Sequence, residues 1–178
     1  MATLISHSIA ALALGKAFAP VARSPKFWIL TAICAALPDI DVLGFAFGIH
    51  YSDMWGHRGI THSFSFALVL SVIVVALFFR DVGPTAANWW FLLAYFFAVT
   101  ASHALLDALT NGGLGVAFFA PFSNERYFFP WRPLEVSPIG IELFLTARGM
   151  AVILSEIKWI WLPSALVVAA AWTYRRAG

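Results

Sequence analysis

NWWFLLAYFFAVTASHALLDAL, residues 88–109, is an apolar run that closes on His103-Ala-Leu-Leu-Asp107. Such a run is long enough to cross a hydrocarbon core of about 30 Å as a helix. Trp89 and Trp90 suit an interfacial anchor at its start, and Gly112-Gly113 ends it. Helical positions i and i+4 lie about 40° apart, so His103 and Asp107 project together from the last turn. An ionisable pair there is costly unless it is internally paired or bound to a metal. Imidazole plus carboxylate at this spacing can grip a divalent cation. A buried His–Asp hydrogen bond would explain the two residues taken alone.

The rest of the chain has the same character. Of 178 residues, 61% are hydrophobic and 11% charged, against about 25% charged in soluble domains. The mean hydropathy is +0.83. These values predict an all-α integral membrane bundle of about five helices, a single membrane-embedded domain over 1–178 with an external loop at about 110–137. The formal charge of +2 is too small to point to nucleic acid. The single cysteine, Cys34, has no disulfide partner within the chain and suits core packing. The first apolar stretch lacks a basic leader and does not read as a cleaved signal peptide.

Residues 3–19 predict an alanine-rich helix interrupted by His7 and Lys16. A basic connector around Arg23 follows, and Ser24-Pro25 opens a second helix. Pro38-Asp39-Ile40-Asp41 stops that helix after about 13 residues, short of a full crossing. Residues 42–59 read as an aromatic, glycine-rich loop. A span runs from about Thr61 to Phe79, and Gly83-Pro84 turns the chain into the run already quoted. Residues 114–136 form a long irregular loop. Ser137-Pro138 repeats the helix-start signal and predicts an interfacial helix at 139–154. A last span covers about 157–174 and ends on Arg175-Arg176.

The positive-inside rule puts Arg175-Arg176 in the cytoplasm. Counting back through the spans puts Lys16, Arg23, Lys26 and Arg80 on that side too. It carries His7, Asp39, Asp41, His57, His62, His103 and Asp107 to the external side. Histidines 57 and 62 would diverge by about 140° on a continuous helix. They serve one site only if Gly59 breaks it, with His57 in the loop and His62 on the first turn. Nitrogen and carboxylate donors without thiolate suit one or two Zn²⁺ ions, with Mn²⁺ as second choice. Arg58, between two candidate ligands, would steady a phosphate. Asn124, Arg126 and Arg132 offer further phosphate contacts or simple headgroup snorkelling.

PDID (38–41), HRGITHS (57–63), HALLD (103–107) followed by TNGG, and APFSNER (120–126) resemble the YdjM family. These are small inner-membrane proteins described as predicted metal-dependent hydrolases. The family is in turn distantly similar to zinc-dependent phospholipase C and P1 nuclease. That resemblance implies a metal held by His103 and Asp107, by Asp39 or Asp41, and by His57 or His62. His7 would serve a second ion that Asp107 bridges. No histidine follows His103, so a three-ion cluster is not expected. The expected function is hydrolysis of a phosphoester in a phospholipid or lipid-linked phosphate by a metal-activated water, with Asp39 or Asp41 as ligand or base. Membrane lipid is then both environment and substrate. The alternatives are a divalent-metal transporter or channel, a membrane peptidase, and a scaffold with a structural metal. The peptidase ranks lower for want of an H-E-x-x-H motif.

Overall fold

The structure is a computed structural model and describes residues 1–19, 24–83 and 85–177. The connector at Arg23 and the Pro84 half of the Gly83-Pro84 turn lie outside them. Helix α1, Leu4–Phe18, is capped by the Thr3 side chain, which accepts from the Ser6 amide. Helix α2, Pro25–Ala36, is capped by Ser24, whose side chain accepts from Phe27, with proline in its first turn. Helix α3, Phe64–Phe78, is capped by Ser63 in the same way. Helix α4 is Ala87–Ala108, and short α5 is Ile141–Phe144. Helix α6, Ala147–Glu156, runs through a π turn at Ile157–Trp161 into α7, Leu162–Ala177. No β-strand occurs among the described residues, which carry two isolated β-bridges, Thr110 with Leu134 and Val116 with Tyr127.

The fold is a helical membrane bundle. Pro25–Phe47, Ala87–Ala108 and Ala147–Arg176 are long and apolar enough to cross a membrane, and Leu4–Phe18 and Phe64–Phe78 are shorter apolar helices. Phe27, Leu30 and Cys34 of α2 pack with Val74 and Val75 of α3 and Leu92, Phe96 and Val99 of α4. Cys34 is a free, buried thiol. Ile29, Leu68, Val69, Ile73 and Leu166 stay exposed on the outer faces, where lipid rather than water makes that arrangement stable.

Three boundaries differ from the sequence reading. The second α-helix ends at Ala36, as the sequence predicts, but no loop follows it. The chain tightens into a 3-10 helix, Leu37–Phe47, with Pro38 in its first turn, where the missing amide proton costs nothing. It ends at Gly48, whose φ of 77° favours glycine. Ser137-Pro138 does not open a helix, because Gly140 at φ 115° holds the backbone in a conformation no helix contains. The interfacial segment and the last span are one helical rod from Ala147, with nothing at 155–158 to break it. Pro163 cannot donate back to Trp159, and the wider turn just before it takes up that lost bond.

Candidate metal centre

Each ligand reaches the site for a local reason. The buried positions of α4 include Leu92, Phe96, Val99, Thr100, His103 and Asp107, so the two polar residues continue the stripe that packs the bundle. In the 3-10 segment successive side chains point about 120° apart. Ile40 faces outward, 52% exposed, while Asp39 and Asp41 turn inward in different directions. Gly59 separates His57, in the loop, from His62, on the 3-10 turn Ile60–His62. A Cβ at Gly59 would collide with the Met54 carbonyl. The break brings the two rings to 5.5 Å between centroids, perpendicular to each other.

Asp39, His62, His103 and Asp107 converge, all buried, with donor atoms within 4.8 Å of one another. His103 Nδ1 donates to the Ala35 carbonyl at 2.7 Å, which leaves Nε2 as a lone pair. His62 Nδ1 donates to Thr61 Oγ1 at 3.1 Å, because that hydroxyl gives its own proton to Asp41 Oδ2 at 2.6 Å, so the imidazole proton sits on the same nitrogen. The two Nε2 atoms then face each other at 3.1 Å. Two lone pairs at that distance repel unless a positive charge, proton or metal, lies between them. His103 Nε2 is 3.3 Å from Asp39 Oδ1, and His62 Nε2 is 3.6 Å from that oxygen and 3.5 Å from Asp107 Oδ2. Metal–donor bonds near 2.0–2.1 Å at tetrahedral angles set donor separations of about 3.3 Å. Both Asp39 oxygens and both His7 nitrogens are buried without a hydrogen-bond partner. Each such orphan costs about 1–3 kcal/mol unless something satisfies it. The donor set therefore fits a divalent cation.

His7 stacks on His103, with centroids 3.6 Å apart, and its Nε2 is 3.5 Å from Asp107 Oδ1. Asp107 Oδ1 also accepts from the Ala2 amide at 2.8 Å. A second group, Asp41, His57 and His62, shares His62 with the first. Here His57 Nδ1 meets Asp41 Oδ1 at 2.7 Å, and Thr61 Oγ1 donates to Asp41 Oδ2 at 2.6 Å. Those short bonds make Asp41 an orienting carboxylate behind His57 and His62. His57 Nε2 is buried and unpartnered.

A family model described as YdjM inner membrane protein matches residues 1–177. The chain belongs to the YdjM family of inner membrane proteins. It is 38% identical over 176 residues to inner membrane protein YbcI of Escherichia coli (strain K12), covering 99% of this chain and 100% of that relative. No solved structure matches it.

In this YdjM-family chain the arginines fall differently from the sequence expectation. Arg58, in the left-handed region at φ 63°, is fully buried. Its Nε donates to Asp107 Oδ2 at 3.0 Å, Nη1 to the Gly112 carbonyl at 2.9 Å and Nη2 to Thr110 Oγ1 at 2.9 Å. A Cβ at Gly113 would stand 2.9 Å from Nη1, so glycine makes the room. The guanidinium expected to steady a phosphate is thus committed to neutralising Asp107. Arg126 donates to the carbonyls of His57, Tyr51 and Asp53, staples the His57 loop, and is lowered from its ordinary pKa by burial. Asn124 donates to the Ser52 carbonyl, and Arg132 lies over the Phe128 ring. Neither contact belongs to the ligand cluster.

Glu156, fully buried at the end of α6, escaped the sequence reading. It accepts from the Thr3 amide at 2.5 Å, Thr3 Oγ1 at 2.6 Å and Ser6 Oγ at 2.7 Å. It thereby clamps the N-terminus of α1, the helix that carries His7. An acidic residue inside an apolar run, ILSEIKWIW (153–161), was the available signal.

Proposed function

We propose that this YdjM-family protein is a membrane-embedded metal-dependent hydrolase acting on a phosphoester of a phospholipid or lipid-linked phosphate. The observation that carries the reading is the His62–His103 contact, two imidazole acceptors 3.1 Å apart beside two buried carboxylates. Zn²⁺ suits the donor set best, with Mn²⁺ second. Asp39, His62, His103 and Asp107 would hold one ion, with His7 and Asp107 Oδ1 the start of a second position. A cation there supplies Lewis acidity toward a phosphoryl oxygen and lowers the pKa of nearby water. Arg58 offsets the charge of Asp107. His57, held by Asp41 through Nδ1, presents Nε2 as a proton acceptor for water. We infer a periplasmic site, because Lys16, Lys26, Arg175 and Arg176 gather at the opposite end.

A structural metal in a scaffold is the second reading, favoured by how closely the four ligands are enclosed. Transport is disfavoured, since transport sites lie near the bilayer midplane and this cluster sits at helix ends. The test is release of phosphate, phosphorylated headgroup or headgroup alcohol from mixed phospholipid vesicles by purified protein with added Zn²⁺ or Mn²⁺. The hydrolase reading expects turnover in wild type, none in His103→Ala, and a loss of about 10²–10⁴ in His57→Ala with bound metal retained. Bound metal in wild type with no turnover on any lipid phosphate would leave the scaffold.

A further inference from the structure

Two cavities adjoin at the cluster end. One, about 290 Å³, has Tyr51, His57, Gly113 and Arg148 in its wall. The other, about 320 Å³, has Leu4, Ile5, Ile141 and Phe144. They share Met1, Ser137 and Pro138. The first is polar where it matters: His57 is 1% exposed and its Nε2 has no partner. Burial holds the Tyr51 phenol above its ordinary pKa, so it faces the cavity as a neutral hydroxyl. The second is an apolar groove between α1 and α5, open to the outer surface.

Arg148 stands apart from the other cations at this end. Arg58 is spent on Asp107, Arg126 on three carbonyls, Arg132 lies on Phe128, and Lys158 lies 4.8 Å over Trp159. The Arg148 side chain is exposed and makes no hydrogen bond or ion pair among the described residues. It follows directly on a segment whose apolar side chains, Ile141, Leu143 and Leu145, are more than half exposed. A guanidinium beside an exposed apolar edge is the arrangement that a phosphate above an acyl chain complements.

We propose that the two cavities form one binding site for a single anionic phospholipid. Its phosphate pairs with Arg148 and the Tyr51 hydroxyl, and one acyl chain lies along Leu4, Ile5, Ile141 and Phe144. His57 Nε2 faces the water beside the phosphorus, a role that rests on the hydrolase reading; the lipid placement itself does not.

The experiment uses full-length protein in nanodiscs doped with phosphatidylglycerol bearing a photoactivatable diazirine on its acyl chain. Adducts are mapped by peptide mass spectrometry, and metal content and lipid turnover are read on the same samples. Labelling is expected to concentrate at 4–5 and 141–144. Arg148→Gln should lower it about fivefold or more, and Arg148→Lys should restore most of it. Unchanged metal content in both variants marks them as folded. Labelling spread evenly over the outer faces of α3 and α7, or equal in Arg148→Gln and wild type, overturns the proposal. Concentrated labelling without lipid turnover supports the groove and removes the hydrolase reading. Turnover without concentrated labelling does the reverse.

Discussion

At one end of the bundle Lys26 donates to the Phe78 carbonyl, Arg175 to those of Lys16 and Ala17, and Lys16 lies 4.7 Å over Trp28. At the other end His7, Asp39, Asp41, His57, Arg58, His62, His103 and Asp107 are all buried, most of them against one another. The first set is snorkelling cations that tether helix ends and keep their charge near water. The second gives up water altogether, which costs several kcal/mol per ion before any pairing is formed. Arg58 compensates only one of the three carboxylates. These buried carboxylates and imidazoles could hold a metal ion, and the proposed place for it is between the facing histidine nitrogens.

The contrast predicts a graded response to mutation. The largest effect belongs to Asp107→Ala, which leaves Arg58 buried without its carboxylate. Thermal unfolding in detergent should report a loss of about 3–5 kcal/mol, together with loss of bound metal. Next comes Glu156→Ala, which strands three buried donors near the start of α1. Each costs about 1–3 kcal/mol, so unfolding should fall markedly, and metal affinity with it as His7 loosens. A normal melting curve in that variant would show that the clamp does not hold α1.

Asp41→Asn is smaller and more specific. It weakens the group that orients His57 and His62 without touching Asp39, His103 or Asp107. Titration with Zn²⁺ should show affinity lowered about 10–100-fold in a protein that melts near the wild-type temperature once saturated with metal. At the opposite end, Lys26→Gln and Arg175→Gln should each change stability by no more than about 0.5 kcal/mol and leave metal content unaltered. An equal loss at both ends would remove the distinction between tethering and buried charge.

Much of the bundle was legible because membrane helices declare themselves by length and apolarity, and serine caps by position. Ser24 caps the helix it precedes, whereas the same signal at Ser137-Pro138 opens none, and α3 starts after Ser63 rather than at Thr61. His103 and Asp107 could be placed because both sit on one helix with known periodicity. The role of Arg58 could not, since it depends on Thr110 and Gly112 folding back over α4, a tertiary event with no local signature. Asp39 and Asp41 could not be told apart either. Only the 3-10 twist of Leu37–Phe47 sends one toward His103 and the other toward His57 and His62. The continuous rod from Ala147 was not legible because Ser155-Glu156 reads as the boundary between a segment of mixed polarity and an apolar span, whereas Glu156 is buried against Thr3 and Ser6.

The facing nitrogens of His62 and His103 are where a bound cation would be held. The most direct test is elemental analysis of protein purified without chelator, wild type beside His103→Ala. About one divalent ion per wild-type chain is expected, and almost none in the variant. Wild-type protein free of metal, or a His103→Ala variant that retains the full amount, would contradict that placement.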